Sequence, residues 1–251
     1  MKQPAQASTL ADEAYGIIRA RILRGEVAIG QVISRRKVAA ELGMSFLPVS
    51  EAFLRLEFEG LLESRPRAGT RVRIPTREDV EGHYVVREGL EVQAARLFAK
   101  MATAEERGEL LKLGTRVDAM SAQPEADRAV YLTLHEKLHR RIAECGRCPA
   151  LCDAIVKTCG LSSSWLCIGG NLSGSHRLHR HQELLEVLAK GDPEKASEAM
   201  REHLDWSREW MLERLEPYFR LGEMHGNTYA RSAKKRFSVD ALEEAAHSAT
   251  A

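Results

Sequence analysis

The sequence predicts a mainly α-helical protein in two parts: an N-terminal winged helix-turn-helix head followed by an all-helical antiparallel bundle. Three observations carry this reading. Residues 34 to 73 contain a capped helix, a tight glycine turn, a second helix and a basic hairpin in unbroken order. Beyond Thr76, apolar residues recur at helical spacing over long stretches, without strand-like alternation. The charge is also divided. Residues 1 to 75 hold 12 Lys and Arg against 8 Asp and Glu, while residues 76 to 215 hold 20 against 23. A chain of formal net charge +1 therefore joins a head at +4 to a body at −3. Such a head seeks phosphate.

The first helix of the pair starts at Ser34, whose hydroxyl can cap the amides of Arg35, Arg36 and Lys37, and it buries Val38, Ala39 and Leu42. Gly43 ends it, because glycine tolerates the positive φ of a short interhelical turn. Met44 plugs the corner and Ser45 supplies the next N-cap. Pro48 is tolerated in the first turn of the second helix, where amides have no partner to lose. Ala52, Phe53 and Leu56 face inward, leaving Phe46, Leu47, Ser50 and Arg55 pointing away. Gly60 closes the helix. Leu61 to Glu63 and Thr70 to Ile74 read as two short strands, a wing with arginines at Arg65, Arg67, Arg71 and Arg73. The residues expected on DNA are the cations Arg35, Arg36 and Lys37 together with the outward set Phe46, Leu47, Ser50 and Arg55.

These residues also carry a family pattern. Tyr15 to Val72 resembles the winged-helix domain of GntR-type bacterial transcription regulators. The matching features are Ile22 and Gly25, Gly30, Leu42-Gly43-Met44-Ser45, Pro48-Val49, Glu51-Ala52, Arg55-Leu56-Glu57, Glu59-Gly60-Leu61 and Gly69-Thr70-Arg71-Val72. The resemblance implies DNA-facing roles for Arg36, Ser45, Arg67 and Gly69. It also exposes a departure, since the family usually has arginine where this chain has Phe46 and Ser50. Bidentate readout of guanine from those two positions is lost, and Phe46 and Leu47 are instead suited to thymine methyls.

Three regions are expected: the head at 1–75, an all-helical ligand- and metal-binding and dimerisation domain at 76–215, and a C-terminal extension at 216–251, partly disordered. With 251 residues and 44% hydrophobic composition the chain can bury a second, larger core. Helices are predicted at 77–101, 103–121, 125–146, 149–168, 176–190 and 193–215. Thr76-Arg77-Glu78-Asp79 and Thr103-Ala104-Glu105-Glu106 are N-caps followed by acidic first turns. No run approaches the ~20 apolar residues that cross a bilayer, and the start MKQPAQASTL lacks the apolar core of a signal peptide, so a cytoplasmic protein without membrane contact is expected. Five cysteines, clustered from Cys145 to Cys167, read as reduced thiols. Cys145-x-x-Cys148-x-x-x-Cys152 lacks the fourth ligand of a closed zinc site and reads as core. No glycine-rich phosphate loop or GxSxG elbow is present, and no enzyme is expected.

The informative residues of the body are histidines. His135 and His139 are four apart, one turn apart on a face shared with Leu132, Leu138 and Ile142. His181 precedes the apolar stripe Leu184, Leu185 and Leu188, and His203 sits among Ala199, Met200 and Trp206. A single such histidine is ordinarily a hydrogen-bonded core residue. Four converging imidazoles point to a transition metal, which satisfies all of them at once.

Residues 76 to 215 resemble the ligand-binding FCD domain, named after the C-terminal domain of a fatty-acid-responsive regulator, in which one aspartate and three histidines typically hold metal. The matching segments are Arg87-x-x-x-Glu91, His135-x-x-x-His139, His181 ahead of Leu184-Leu185, and Met200-x-x-His203-Leu204. His139, His181 and His203 fall on the family histidines, and His135 replaces the aspartate. An imidazole in place of a carboxylate leaves a bound ion its full +2 and favours zinc or nickel over magnesium or calcium.

Such an ion would attract a small chelating carboxylate, with Arg87 as a bidentate partner and Tyr84 adding a hydroxyl. The competing reading of Arg87 is a surface pair with Glu91. Ser162, Ser163, Ser164 and Trp165 are further candidates for pocket lining. The expected function is a homodimeric regulator, a repressor by resemblance, that reads an inverted-repeat operator in double-stranded DNA and responds to a carboxylate metabolite at the metal. Two alternatives are a direct metal sensor and a metal-dependent hydrolase fused to a DNA-binding head. The latter needs a general base, and Glu136 neighbours the site but points about 100° away on its helix.

Overall fold

The structure, a computed structural model, describes residues 9–65, 67–123, 127–168 and 181–224. His176, His179 and the basic run 234–236 lie outside them. The head comprises α1 (Leu10–Leu23), β1 (Val32–Ile33), α2 (Arg35–Leu42), α3 (Phe46–Phe58), β2 (Leu62–Arg65) and β3 (Gly69–Val72). A reciprocal cap between Thr9 and Asp12 starts α1. Ser34 accepts the Lys37 amide at 3.3 Å and starts α2, and Gly43, at φ 62°, ends it as the sequence requires. Ser45 has the extended backbone of an N-cap, but its hydroxyl bonds no first-turn amide, contrary to expectation.

Ala14, Ile18 and Ile22 of α1 pack with Val38 and Ala39 of α2 and with Val49, Ala52, Phe53 and Leu56 of α3. The sheet is antiparallel in the order β1-β3-β2, with Val32 opposite Arg71 and Leu62 opposite Val72. β1 is absent from the sequence reading because two residues are too few to show an alternation. The two wing strands sit within one or two residues of their expected places.

The body comprises α4 (Arg77–Met101), α5 (Ala104–Ser121), α6 (Arg128–Cys145), α7 (Pro149–Ile168), α8 (His181–Ala189) and α9 (Pro193–Met224). Thr76 with Asp79 and Thr103 with Glu106 form the two predicted capping boxes. α4 and α9 run antiparallel, stitched by Arg77–Glu216, Arg201–Glu88 and Arg96–Glu194. Phe98, Leu110, Tyr131, Leu138, Ile142, Leu188, Met211 and Leu215 fill the bundle's interior. Among the described residues, no helix is long and apolar enough to cross a membrane.

One helix end differs clearly from expectation; the first residues of the helix predicted at 176–190 lie outside the described residues, and its described part is His181–Ala189. The helix predicted to stop at 215 continues through Pro217 to Met224. Packing overrides the lost hydrogen bond there: Phe219 is buried one turn after Leu215, and Arg77 lies 5.4 Å from its ring centroid and 2.6 Å from Glu216. Gly114 allows α8 to lie tightly on α5, since a Cβ there would stand 2.6 Å from a Leu185 methyl.

Head and body share one helix. Ala14, Ile18 and Ile22 belong to the head's core, whereas Leu23 at the end of α1 is buried in the bundle's core.

His83 ties α4 to α7. Its Nε2 lies 2.6 Å from the Ser162 hydroxyl and its ring meets Trp165 edge-on at 5.0 Å. Burial, reinforced by the charge of Arg87 and opposed by Glu91, lowers its pKa from 6.5 to about 4. Because the folded value lies below the unfolded one, protonation favours the unfolded chain. Stability should therefore fall as pH drops from about 6.5 towards 4, by an amount on the order of 3 kcal/mol. Urea unfolding of wild-type protein and His83→Gln across that range should show the slope reduced in the variant. Parallel curves would contradict this assignment.

Candidate functional site

The head's cations divide into two sets. Arg35 points inward, with Nη2 2.6 Å from Glu57 and 3.3 Å from the Ser64 hydroxyl, and its guanidinium over the Phe53 ring. Arg65 and Arg71 converge on Glu63, which is buried, and Arg73 reaches Asp79 at 2.8 Å. Arg55 lies across the Tyr15 ring at 3.8 Å and bonds Asp12 at 3.2 Å. These side chains fasten strand to strand and helix to helix.

Arg36, Lys37 and Arg67 differ: each is exposed, and none has an ion-pair partner among the described residues. Between them stand Ser45 and the first turn of α3, where Phe46 is 52% and Leu47 67% exposed, with Ser50 half-buried one turn on. Gly69 (φ 77°) opens β3 beside the wing tip. Arg67 itself has φ 62°, in a turn closed by the Ala68 amide on the Arg65 carbonyl at 3.2 Å. A β-carbon in that region costs roughly 1–2 kcal/mol, so the arginine is held at the tip against a backbone preference.

In the body, the four predicted histidines meet. α6 contributes His135 and His139, ring centroids 4.6 Å apart. His181, the first residue of α8, lies 5.0 Å from His135 and 5.9 Å from His139. One candidate ligand atom from each of these three comes within 4.8 Å of the others, and all three residues are buried. His203 on α9 completes the group at the edge, half-buried, 5.1 Å from the His181 ring and 5.7 Å from that of His139.

Two carboxylates orient the rings. Glu91 Oε2 on α4 lies 2.5 Å from His139 Nδ1, and Asp118 Oδ1 on α5 lies 2.7 Å from His181 Nδ1. In His181, Nδ1 is engaged by Asp118 and Nε2 is left as the candidate ligand atom, the arrangement that fixes tautomer and basicity in metal-ligating histidines. Both buried ring nitrogens of His139 lack a hydrogen-bond partner among the described residues, so Glu91 meets Nδ1 at ion-pair distance without hydrogen-bond geometry. Asp118 also accepts the backbone amides of His181 and Gln182 at 3.2 and 2.9 Å, so one side chain caps α8 and aims its first ring. Burial, then the nearby His139 and Arg87, hold His181 well below the ordinary histidine range, in the neutral form a metal requires. An all-imidazole donor set with an orphaned inner nitrogen fits a borderline divalent ion.

Arg87 pairs with Glu91, as the bland reading held, but at 2.6 Å and inside the protein, 3% and 2% exposed. Burial by itself would raise the Glu91 carboxyl, but Arg87 and His139 outweigh it and hold the group well below the usual carboxylate range. Tyr84 is buried one turn before Arg87, its hydroxyl 2.7 Å from Ser207. Ser162 and Trp165 are buried beside His83. One expectation needs correction: a bound ion would not present an uncompensated +2, because Glu91 and Asp118 stand directly behind two of its ligands. Glu136 points away from the histidines, as its place on the helix predicts, and pairs with Arg19 of the head.

Sequence reasoning missed His83 and Asp118. No spacing pattern singles out His83, and Asp118 lies 63 residues from His181 with no local pattern linking them.

Two family models cover most of the chain. The model for bacterial regulatory proteins of the gntR family matches residues 10–72, and the FCD domain model matches residues 83–205. A protein of Paenarthrobacter nicotinovorans named "Probable D-xylose utilization operon transcriptional repressor" is 29% identical over 208 residues, covering 78% of this chain and 86% of that one. The HTH-type transcriptional repressor RspR of Escherichia coli (strain K12) is 24% identical over 192 residues, covering 76% and 83%. Among solved structures, a GntR transcriptional regulator from Rhodococcus sp. RHA1 superposes with a TM-score of 0.67 at 22% identity, covering 81% of this chain and 97% of that one. E. coli McbR/YncC gives 0.65 at 20% identity, covering 83% and 99%. Those two likenesses establish the shared fold. With the exposed basic head and the helical body in register with both models, the chain belongs to the GntR family of bacterial regulatory proteins, as a DNA-binding transcription regulator with an FCD domain.

Proposed function

We propose that the chain is a homodimeric repressor whose affinity for an inverted-repeat operator is set by a small carboxylate bound at a zinc or nickel ion on His135, His139, His181 and His203. The single observation that carries the metal reading is the pair of carboxylate–imidazole contacts, Glu91 on His139 and Asp118 on His181. A packed core has no need of three buried imidazoles with ligand atoms within 4.8 Å of one another and a fourth ring beside them.

The ion would supply Lewis-acid attraction for an anion. Around it, Arg87 adds a positive charge while Glu91 and Asp118 each remove one, leaving a single net positive charge. That balance favours a singly charged carboxylate. The hydroxyls of Tyr84 and Ser207, and of Ser162 beside His83, give the ligand polar partners along α4. Repression is supported by the two relatives named as repressors. Hydrolysis is disfavoured, because Glu136 is committed to Arg19 while Glu91 and Asp118 are committed to imidazoles. The zinc and nickel readings, and a direct metal sensor, are separated by elemental analysis and by mass spectrometry of small molecules retained on native protein.

On the DNA side the reading assigns phosphate contacts to Arg36, Lys37 and Arg67, backbone approach to Ser45 and Gly69, and apolar base contact to Phe46 and Leu47, with Ser50 behind them. Arg35 and Arg55, expected at the duplex, become positioning residues because their guanidinia are paired with Glu57 and with Asp12 of the head itself.

Metal measurements test the centre. His139→Ala should lose the ion on dialysis, and Asp118→Asn should bind it about 10- to 100-fold more weakly. Unchanged metal content in both variants would refute the site. DNA binding tests the head: Arg36→Ala and Arg67→Gly should each reduce the salt slope of affinity by roughly one unit. Arg67→Gly should do so without lowering the melting temperature, because glycine relieves the positive φ at the wing tip. A destabilised Arg67→Gly protein with full DNA affinity would reverse the assignment.

A further inference from the structure

α6 presents different faces to different partners. His135 and His139 turn with Leu138 and Ile142 into the bundle. Ala129, Thr133 and Glu136, at i, i+4 and i+7, line a cleft of about 800 Å³ between bundle and head. Neighbouring residues on a helix are ~100° apart, so the carboxylate of Glu136 is rigidly coupled to the ring of His135 yet lies round the side.

Glu136 forms an ion pair with Arg19 of α1, in which the two side chains are only 24% and 16% exposed. α1 is likewise shared. It is anchored in the bundle by Leu23, and Arg24 comes within 3.9 Å of Asp127, the residue that caps α6. Its other face forms the floor of the head's core. From Arg19 the polar contacts lead to the recognition helix. One turn earlier on α1, Tyr15 donates to Glu59 at the end of α3, 2.8 and 3.0 Å from the two oxygens, and Arg55 of α3 stacks on the same tyrosine. Glu59 also pairs with Arg55, so Tyr15 of α1 is held between two charged side chains at the end of the recognition helix.

We infer that the Glu136–Arg19 pair, between the histidine-bearing helix and the helix that carries the head, is the contact through which occupancy of the centre sets the orientation of α3. This rests on the metal-centred reading given above. An ion drawing His135 and His139 to one point displaces α6 as a rigid rod, and Glu136 moves with it. Leu23 keeps α1 seated in the bundle, so the displacement is delivered to the head as rotation about that anchor instead of being lost in a flexible linker.

The test uses the full chain, zinc alone as the probe, and a duplex obtained by randomised-site selection. DNA affinity is measured with and without zinc for wild type, Glu136→Gln and the charge exchange Arg19→Glu/Glu136→Arg. The wild-type ratio should be about 5-fold or more, within the usual range of coupling between sites. Glu136→Gln should bring it to within about 2-fold of unity with zinc stoichiometry unchanged, and the charge exchange should recover it. A wild-type ratio retained in Glu136→Gln overturns the assignment. Zinc bound by wild type with no change in DNA affinity overturns it too, while leaving the centre standing. A wild-type protein that takes up no zinc removes the centre itself and this coupling with it.

Discussion

Two carboxylates set the rules for the body of this protein. Asp118 is hydrogen-bonded to Nδ1 of His181 and Glu91 lies against Nδ1 of His139, each from a helix that packs on α6 and α8. A buried carboxylate without partners would cost several kcal/mol, so Glu91 is tolerable inside the bundle only because Arg87 and His139 surround it. The same contacts remove rotational freedom from the rings. The bundle thus carries a polar centre within an otherwise apolar interior.

The head solves a related problem at its surface. Most of its arginines are paired with carboxylates. Glu63 takes Arg65 and Arg71, Glu57 takes Arg35, and Asp12 takes Arg55. What remains, among the described residues, is a narrow set of cations without an ion-pair partner, Arg36, Lys37 and Arg67, with the exposed Phe46 and Leu47 at the start of α3. The net charge of the head therefore overstates its contact surface, while the strained backbone at Arg67 marks where one of those cations is displayed.

Because α1 contributes to both cores, head and body are mechanically joined without a long linker. Leu23 and Arg19 lie one turn apart on the face turned to the bundle, and Ile18 and Ile22 on the face turned to the head. Small shifts of α6 in such an arrangement are transmitted, since packed side chains resist continuous deformation.

Much of this was legible in the residues. Ser34, Gly43, Thr76 and Thr103 announce helix ends because capping and positive φ are local requirements, and the i, i+4 spacing of His135 and His139 places both on one helical face. Other features depend on which helices touch. The pairing of Asp118 with His181, the inward turn of Arg35, the commitment of Arg55 to Tyr15 and Asp12, and the continuation of α9 through Pro217 all arise from partners far away in sequence. Periodicity names the residues that face inward, since it reports burial. Only the assembled bundle decides which buried nitrogen meets which buried oxygen, because that depends on helix azimuth and offset, which no single helix encodes.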